Sequence, residues 1–461
     1  MKKSLLVYIM SVVILAACGN DNIVVRDYDI VNDTAFAIIH EESILNPRLD
    51  LYQGHISEKA DTFRVVSQGK NAAIIILSSP KQVVQADKEY DWGYYQFPNF
   101  YHNAEGDLIV RWQMADDSYT SYGYNGSDRE RRMSRDDGET WTELDKDYPK
   151  LENCWSEMAD GSVLKVITPP SMDISKYKDF PCPVNQEPLS GGYSFYRMNE
   201  LPDSLQGVYL QFYKNDIKVE DIHASVNDSE YLRYSINNYM PIVWWGDIKE
   251  LKDGSVLAGM YPVFYKKDDG NITSEGVGFY KSIDNCRNWN KIGVLFYPSA
   301  NSDVSFGNGL GFTEPTYEIL NDSTLICVMR TGGLSPLYVS YSHDLGINWS
   351  IPAPMTPNGV YPHLLSLGNG ALVLSSGRPG AQLRFSIDGK GTKWTEPIEM
   401  MPIFDENGQL YSEDVTCGYT QLLKADENSF FIVYSDFKTQ NNKGEYRKSI
   451  MFRKVEVLTN L

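Results

Sequence analysis

Three short stretches carry side chains able to do polar chemistry in one place. Phe312-Thr313-Glu314-Pro315-Thr316 opens an apolar strand with a glutamate, and Cys327-Val328-Met329-Arg330 closes the following one with an arginine. A hairpin sets these positions side by side, as a structural ion pair or as a base next to a guanidinium that clamps an oxyanion. Ser375-Ser376-Gly377-Arg378-Pro379-Gly380 holds a second arginine in a rigid turn, which suits a preorganised anion contact, with nearby Arg384 as its competitor. Gly418-Tyr419-Thr420-Gln421 starts a further strand. A phenol next to Glu314 can surrender its proton and act as a nucleophile, or its ring can pack or stack on a sugar.

The elements that must position these residues repeat along the chain. Six segments read as a turn followed by an apolar strand, beginning at Glu105-Gly106, Asp160-Gly161, Asp253-Gly254, Asp322-Ser323, Asn369-Gly370 and Glu427-Asn428. A turn dipeptide ahead of alternating β-formers is a hairpin signal. A second pattern follows four of the six: a serine, an aspartate two residues on, usually a glycine, then a tryptophan. Its copies start at Ser134, Ser282, Ser342 and Ser386 and end at Trp141, Trp289, Trp349 and Trp394. The aspartate is expected to accept N–H bonds inside a tight turn, the glycine to supply positive φ, and the tryptophan to fold back over it.

Each unit therefore reads as strand, Asx-Gly turn, strand, strand, aspartate turn, strand, which is one four-stranded propeller blade. The fold class expected is all-β, a six-bladed β-propeller with four Asp-box turns. The turns lie at outer hairpins, away from the axis where propeller ligands bind, and read as structural. The largest insertion, residues 169–238, falls in the second blade and its connection to the third, where it walls the site or caps one face. Residues 18–90 include strand-like runs at 35–39 and 72–77 that supply a closing strand or pack on the last blade, and 91–461 form the propeller as one domain.

The chain begins Met1-Lys2-Lys3, runs through apolar residues 5–15 and reaches Leu15-Ala16-Ala17-Cys18. Residues 1–17 read as a signal peptide too short to span a membrane. The small residues before Cys18 resemble a bacterial lipobox, which implies a lipid anchor on that cysteine and a place in the cell envelope, in the outer membrane. A net charge of −19 argues against nucleic acid and against broad contact with anionic membranes. The remaining cysteines, Cys154, Cys182, Cys286, Cys327 and Cys417, are odd in number, so they form no complete disulfide framework, although Cys154 and Cys182 are close enough in sequence to pair. No zinc spacing occurs, and no cofactor is expected.

Over nearly all of its mature length the chain resembles the sialidase (neuraminidase) superfamily of Asp-box propellers. The resemblance implies a six-bladed propeller, a tyrosine nucleophile paired with a glutamate, an aspartate acid/base from a first-blade loop, and three arginines on the sugar carboxylate. On this likeness Tyr419 takes the place of the nucleophile, Glu314 that of its partner, Arg330 that of the second arginine and Arg378 that of the third. The acid/base falls to Asp116 or Asp117, after Leu108-Ile-Val-Arg111-Trp112-Gln113. The family opens its first blade with an aromatic-Arg-Ile-Pro motif; here Tyr95-Gln96-Phe97-Pro98 puts glutamine where the first arginine belongs. Losing a bidentate donor from a carboxylate clamp costs roughly 2–5 kcal/mol of recognition, and Arg111 on the neighbouring strand is the substitute within reach.

The expected function is exo-acting, retaining hydrolysis of a terminal, acidic sugar. One alternative keeps the enzyme and changes the sugar, as another glycosidase or a uronate lyase. There Gln96, Arg330, Arg378 and His363 form a different pocket, and the histidine abstracts a proton. Another is a non-catalytic, glycan-binding surface lipoprotein using Trp244-Trp245 and Tyr94-Tyr95 for stacking on sugars.

Overall fold

The structure, a computed structural model, describes residues 60–68, 71–118, 129–144, 155–185, 192–241, 245–298, 311–321, 323–332, 335–401 and 415–459. Cys18, the run at 35–39, Cys154 and Trp244 lie outside them. Regular structure among the described residues is β-strand with three single-turn 3₁₀ segments.

Antiparallel four-stranded sheets recur. One contains Tyr94–His102, Leu108–Met114, Arg129–Ser134 and Thr142–Glu143; another Thr313–Ile319, Leu325–Arg330, Tyr338–Ser342 and Ala353–Pro354; a third Val360–Ser366, Leu372–Gly377, Ala381–Ser386 and Ile398–Glu399. Two further sets of four strands join into an eight-stranded sheet, because Ser225–Asn227 pairs in parallel with Asn288–Asn290. The last sheet is completed from the other end of the chain, where Asn71–Ser78 and Lys81–Gln85 both pair with Tyr446–Thr459. Within 169–238, Val208–Lys214 and Ile217–Asn227 belong to the eight-stranded sheet, whereas Tyr193–Arg197 pairs as the edge strand with Leu232–Ile236 in a separate small sheet.

Both faces of these sheets are apolar because each is covered by a neighbour. Along Leu108–Met114, alternate residues Leu108, Val110 and Trp112 pack with Phe431, Val433 and Phe452 of the last sheet. Ile109, between them, packs the other way with Tyr101 and Met133.

The first strands of successive units are joined by a polar relay. Asp247 accepts the Tyr317 amide at 3.0 Å, and Thr316 Oγ1 accepts the Leu364 amide at 3.0 Å. His363 Nδ1 accepts the Leu422 amide at 2.9 Å, and Gln421 Oε1 accepts that of Phe100 at 2.8 Å. These edge N–H groups have no ladder partner, so a side chain from the preceding unit satisfies each of them.

The four Ser-x-Asp turns share one geometry. Ser134, Ser282, Ser342 and Ser386 each donate to the following aspartate at 2.8, 2.9, 2.9 and 3.1 Å. The same hydroxyls accept the amides of Gly138, Cys286, Gly346 and Gly391 at 2.8–3.0 Å. Those residues have φ of 87°, 64°, 91° and 68°, so the copy with Cys286 holds a side chain where glycine is easier. Trp289 and Trp394 are fully buried beneath their turns.

Candidate active site

The site is built where first strands begin. Tyr95, Phe97, Glu314 and Tyr361 all have left-handed backbone, with φ of 54°, 49°, 47° and 44°. The ladder slips its register there in all three sheets. Phe97, Glu314 and Tyr361 each precede a proline, which excludes the right-handed helical conformation. Such backbone costs about 1–3 kcal/mol per residue, and here it aims three side chains from three sheets at one phenol.

That phenol is Tyr419. Its hydroxyl donates to Glu314 Oε1, and the Phe97 ring meets its ring edge-on at 4.8 Å. The Tyr361 ring stacks on it at 4.3 Å and 12°, while the Tyr361 amide donates to Glu314 Oε2 at 3.0 Å. Arg330 Nη1 donates to Glu314 Oε1 at 2.8 Å and to the Tyr419 hydroxyl at 3.1 Å, with its Nε on the Gly332 carbonyl at 2.9 Å. Glu314 is 8% exposed, so the pair with Arg330 is largely desolvated.

Burial and the Glu314 carboxylate push the Tyr419 phenol well above its ordinary acidity range, against a smaller pull from Arg330 and Arg378. Burial works against the Arg330 cation, and the Glu314 charge, Tyr419 and the hydrogen bond to Glu314 together more than reverse this. The resting state is thus a neutral phenol bonded to Glu314, whose same oxygen also accepts from the Arg330 guanidinium.

Arg378 is 7% exposed, with φ of 47°. Its Nε donates to the Cys417 carbonyl at 3.1 Å and its guanidinium lies over the Trp92 ring at 5.7 Å. Two glycines permit this approach: a Cβ on Gly377 would meet the Gly418 carbonyl oxygen at 1.9 Å, and one on Gly418 would meet Arg378 Cγ at 2.7 Å. Trp92 in turn donates to Asp117 Oδ2 at 3.1 Å, so Asp117 stands on the Arg378 side in an exposed loop. Asp116 is also exposed, and its carbonyl accepts from Gln113 at 3.4 Å.

Gln96 is fully buried, and neither its Oε1 nor its Nε2 has a hydrogen-bond partner among the described residues. Arg111 is 2% exposed and donates through Nε to Asn99 Oδ1. His363 serves the relay between sheets through Nδ1, which leaves the proton on Nε2. Burial lowers its basicity, as does Lys249, with Asp247 opposing.

Sequence reasoning did not single out Tyr361, Phe97, Trp92 or Glu275 as site residues. The recurrence of a residue followed by proline at Phe97-Pro98, Glu314-Pro315 and Tyr361-Pro362 is the signal that would have found the first two. Glu275 precedes the strand Gly276–Ser282, and its carbonyl accepts the Phe312 amide at 2.8 Å. Burial pushes its carboxyl up to about 7, helped by Glu314 and opposed by Thr313 and Arg330.

No family model and no curated protein matches the sequence. Among solved structures, the chain is similar to a protein of unknown function from Dyadobacter fermentans, at 17% identity over 82% of this chain and 99% of that one, with a TM-score of 0.52. It is also similar to the Hadza microbial sialidase Hz136, at 14% identity over 87% and 74%, TM-score 0.49. A third is the Penicillium chrysogenum α-L-arabinanase complexed with arabinobiose, at 14% identity over 82% and 98%, TM-score 0.45. At 17% identity the first of these likenesses is one of fold alone.

Proposed function

We propose that this chain is an exo-acting, retaining glycoside hydrolase of the sialidase type on a six-bladed propeller with four Asp-box turns. The observation that carries the reading is the Tyr419–Glu314–Arg330 group, in which one carboxylate oxygen accepts from both the phenol and the guanidinium. A phenol that is neutral at rest is a nucleophile only if its proton leaves as it attacks. Glu314 is placed to take that proton while Tyr419 Oη bonds to the anomeric carbon. The glycosidic oxygen leaves with a proton from Asp116 or Asp117. Water then attacks the same carbon, the aspartate takes its proton, and the phenol recovers its own from Glu314. Arg330 and Arg378 supply fixed positive charge for an anionic group on the sugar.

The buried amide of Gln96, without a partner among the described residues, favours a second reading in which the sugar is neutral at that position. An amide offers one donor and one acceptor side to hydroxyls, where an arginine offers donors only. Envelope anchoring through Cys18 is part of the proposal, and palmitate incorporation that a Cys18→Ala variant retains would rule it out. The enzymatic reading is tested with fluorogenic glycosides of α-linked sialic acid, α-L-arabinofuranose, uronic acids and rhamnose. Release of one of them by the wild type, with at least a 1,000-fold loss in Tyr419→Phe, supports it. Equal release by both defeats it.

A further inference from the structure

We propose that Glu275 is a substrate-binding residue of this site, donating a hydrogen bond from its carboxyl to a sugar oxygen held next to Arg330. The inference rests on the glycan reading of the Tyr419 site and adds a residue that the mechanism does not use.

The placement follows from the backbone. The Glu275 carbonyl takes the Phe312 amide at 2.8 Å, which fixes residue 275 against the start of the strand Thr313–Ile319. A Cβ on Gly311 would meet the Glu275 carbonyl oxygen at 2.9 Å and its Cβ at 3.0 Å, so the two segments touch with no room for a side chain between them. The Glu275 side chain bonds to Thr313, the residue before Glu314 and the ladder partner of Arg330. It is half-buried and not sealed in the core.

Among the described residues, the titratable groups whose charges couple to it come from two places. Glu314 and Arg330 act on it from the neighbouring sheet. The phenols of Tyr193 and Tyr231, from the inserted region, both feel its charge. Tyr193 belongs to the small inserted sheet, which therefore comes near the Glu275 carboxyl.

A second full negative charge at this point would compete with Glu314 for Arg330. As a neutral acid, Glu275 instead offers an O–H donor. With its carboxyl pushed up to about 7 by burial, the donor form dominates below that pH and is lost above it. Sugar affinity then falls as pH rises through this range, because the donor becomes an acceptor and the charge repels any anionic group on the sugar.

The test measures binding of free sugars, N-acetylneuraminic acid, L-arabinose, glucuronic acid and L-rhamnose, to the mature chain by titration calorimetry between pH 5.5 and 8.5. The Tyr419→Phe background removes turnover. Glu275→Ala is expected to weaken the best ligand at least 10-fold at pH 6. Glu275→Gln, which keeps an N–H donor and cannot ionise, is expected to stay within about 3-fold at pH 6 and to lose the decline above pH 7. Unchanged affinity and an unchanged pH profile in both variants overturn the Glu275 inference while leaving Tyr419 chemistry standing. Weakened binding in Glu275→Ala, alongside turnover that survives Tyr419→Phe, keeps Glu275 and removes the nucleophile assignment. Absence of binding to the wild type by all four sugars overturns the inference.

Discussion

Tyr361 stacks on Tyr419 at 4.3 Å and 12°, and its own amide donates to the Glu314 carboxylate that Tyr419 bonds. One residue thus sets both the plane of the phenol and the direction of its base, through a left-handed backbone just before Pro362. Tyr361→Ala keeps the amide and removes the ring. We expect kcat to fall about 10- to 100-fold with little change in KM, since a misplaced nucleophile costs on that scale. A fall in kcat/KM matched by an equal rise in KM, with kcat unchanged, would instead mark the ring as a sugar contact.

Glu314 and Arg330 are a largely buried pair, so truncating one leaves the other charge unpaired. Glu314→Ala is expected to destabilise the fold by about 3–5 kcal/mol in addition to abolishing turnover. The double variant Glu314→Ala/Arg330→Met is expected to recover most of that stability without activity. Chemical denaturation of the three proteins measures both effects, and a double variant no more stable than the single one would show that the pair is not the source.

Gln96 presents a buried amide with neither end bonded among the described residues. Gln96→Met, close in shape and apolar, is expected to gain about 1–3 kcal/mol in stability, because the desolvation cost of the amide disappears. It is expected to lose turnover if the amide serves the sugar. Stability that drops instead would show that the amide is satisfied by an internal water.

The aspartate turns are expected to matter for stability and not for chemistry. Ser342 Oγ both donates to Asp344 and accepts the buried Gly346 amide at 2.8 Å. Ser342→Ala strands that amide, at a cost of about 1–3 kcal/mol by denaturant unfolding, with turnover unchanged. A change in KM would place the turn nearer the ligand than the fold does.

The turns also set the acid limit. Hydrogen bonds from Thr140 hold Asp136 down at about 2, and those from Ser255 do the same for Asp253. A carboxylate depressed in the folded state contributes stability above its unfolded value, near 4, and loses it as pH falls toward 2. Glu275 has the opposite sign: raised to about 7, it contributes fully below its unfolded value and loses that contribution as pH rises through 7. Unfolding midpoints measured from pH 2 to 9 should therefore fall steeply below pH 4 and decline gently between about 4.5 and 7. In Glu275→Gln the gentle decline should vanish.

Much of this arrangement is legible in the chain because it depends on local chemistry. The serine–aspartate turns follow from side chains that bond backbone two and four residues away, and the strands follow from apolar β-forming runs behind turn dipeptides. Glu314 and Arg330 meet because a hairpin pairs Thr313 with Arg330. Tyr419 reaches them only through packing between sheets, 105 residues along the chain, and that distance was bridged by resemblance. His363 had the side chain for proton transfer, yet its Nδ1 is taken by a neighbouring strand's amide, a contact that no single strand's sequence reveals. Glu275 was invisible for the same reason, since its neighbours come from another sheet and from an insertion.

The most direct test of the central claim is release of fluorophore from an α-linked sialic acid substrate by the mature chain, measured beside Tyr419→Phe. Release by the wild type and at least a 1,000-fold loss in the variant are expected, with its unfolding midpoint essentially unchanged. Release that survives the loss of the Tyr419 hydroxyl would contradict the claim.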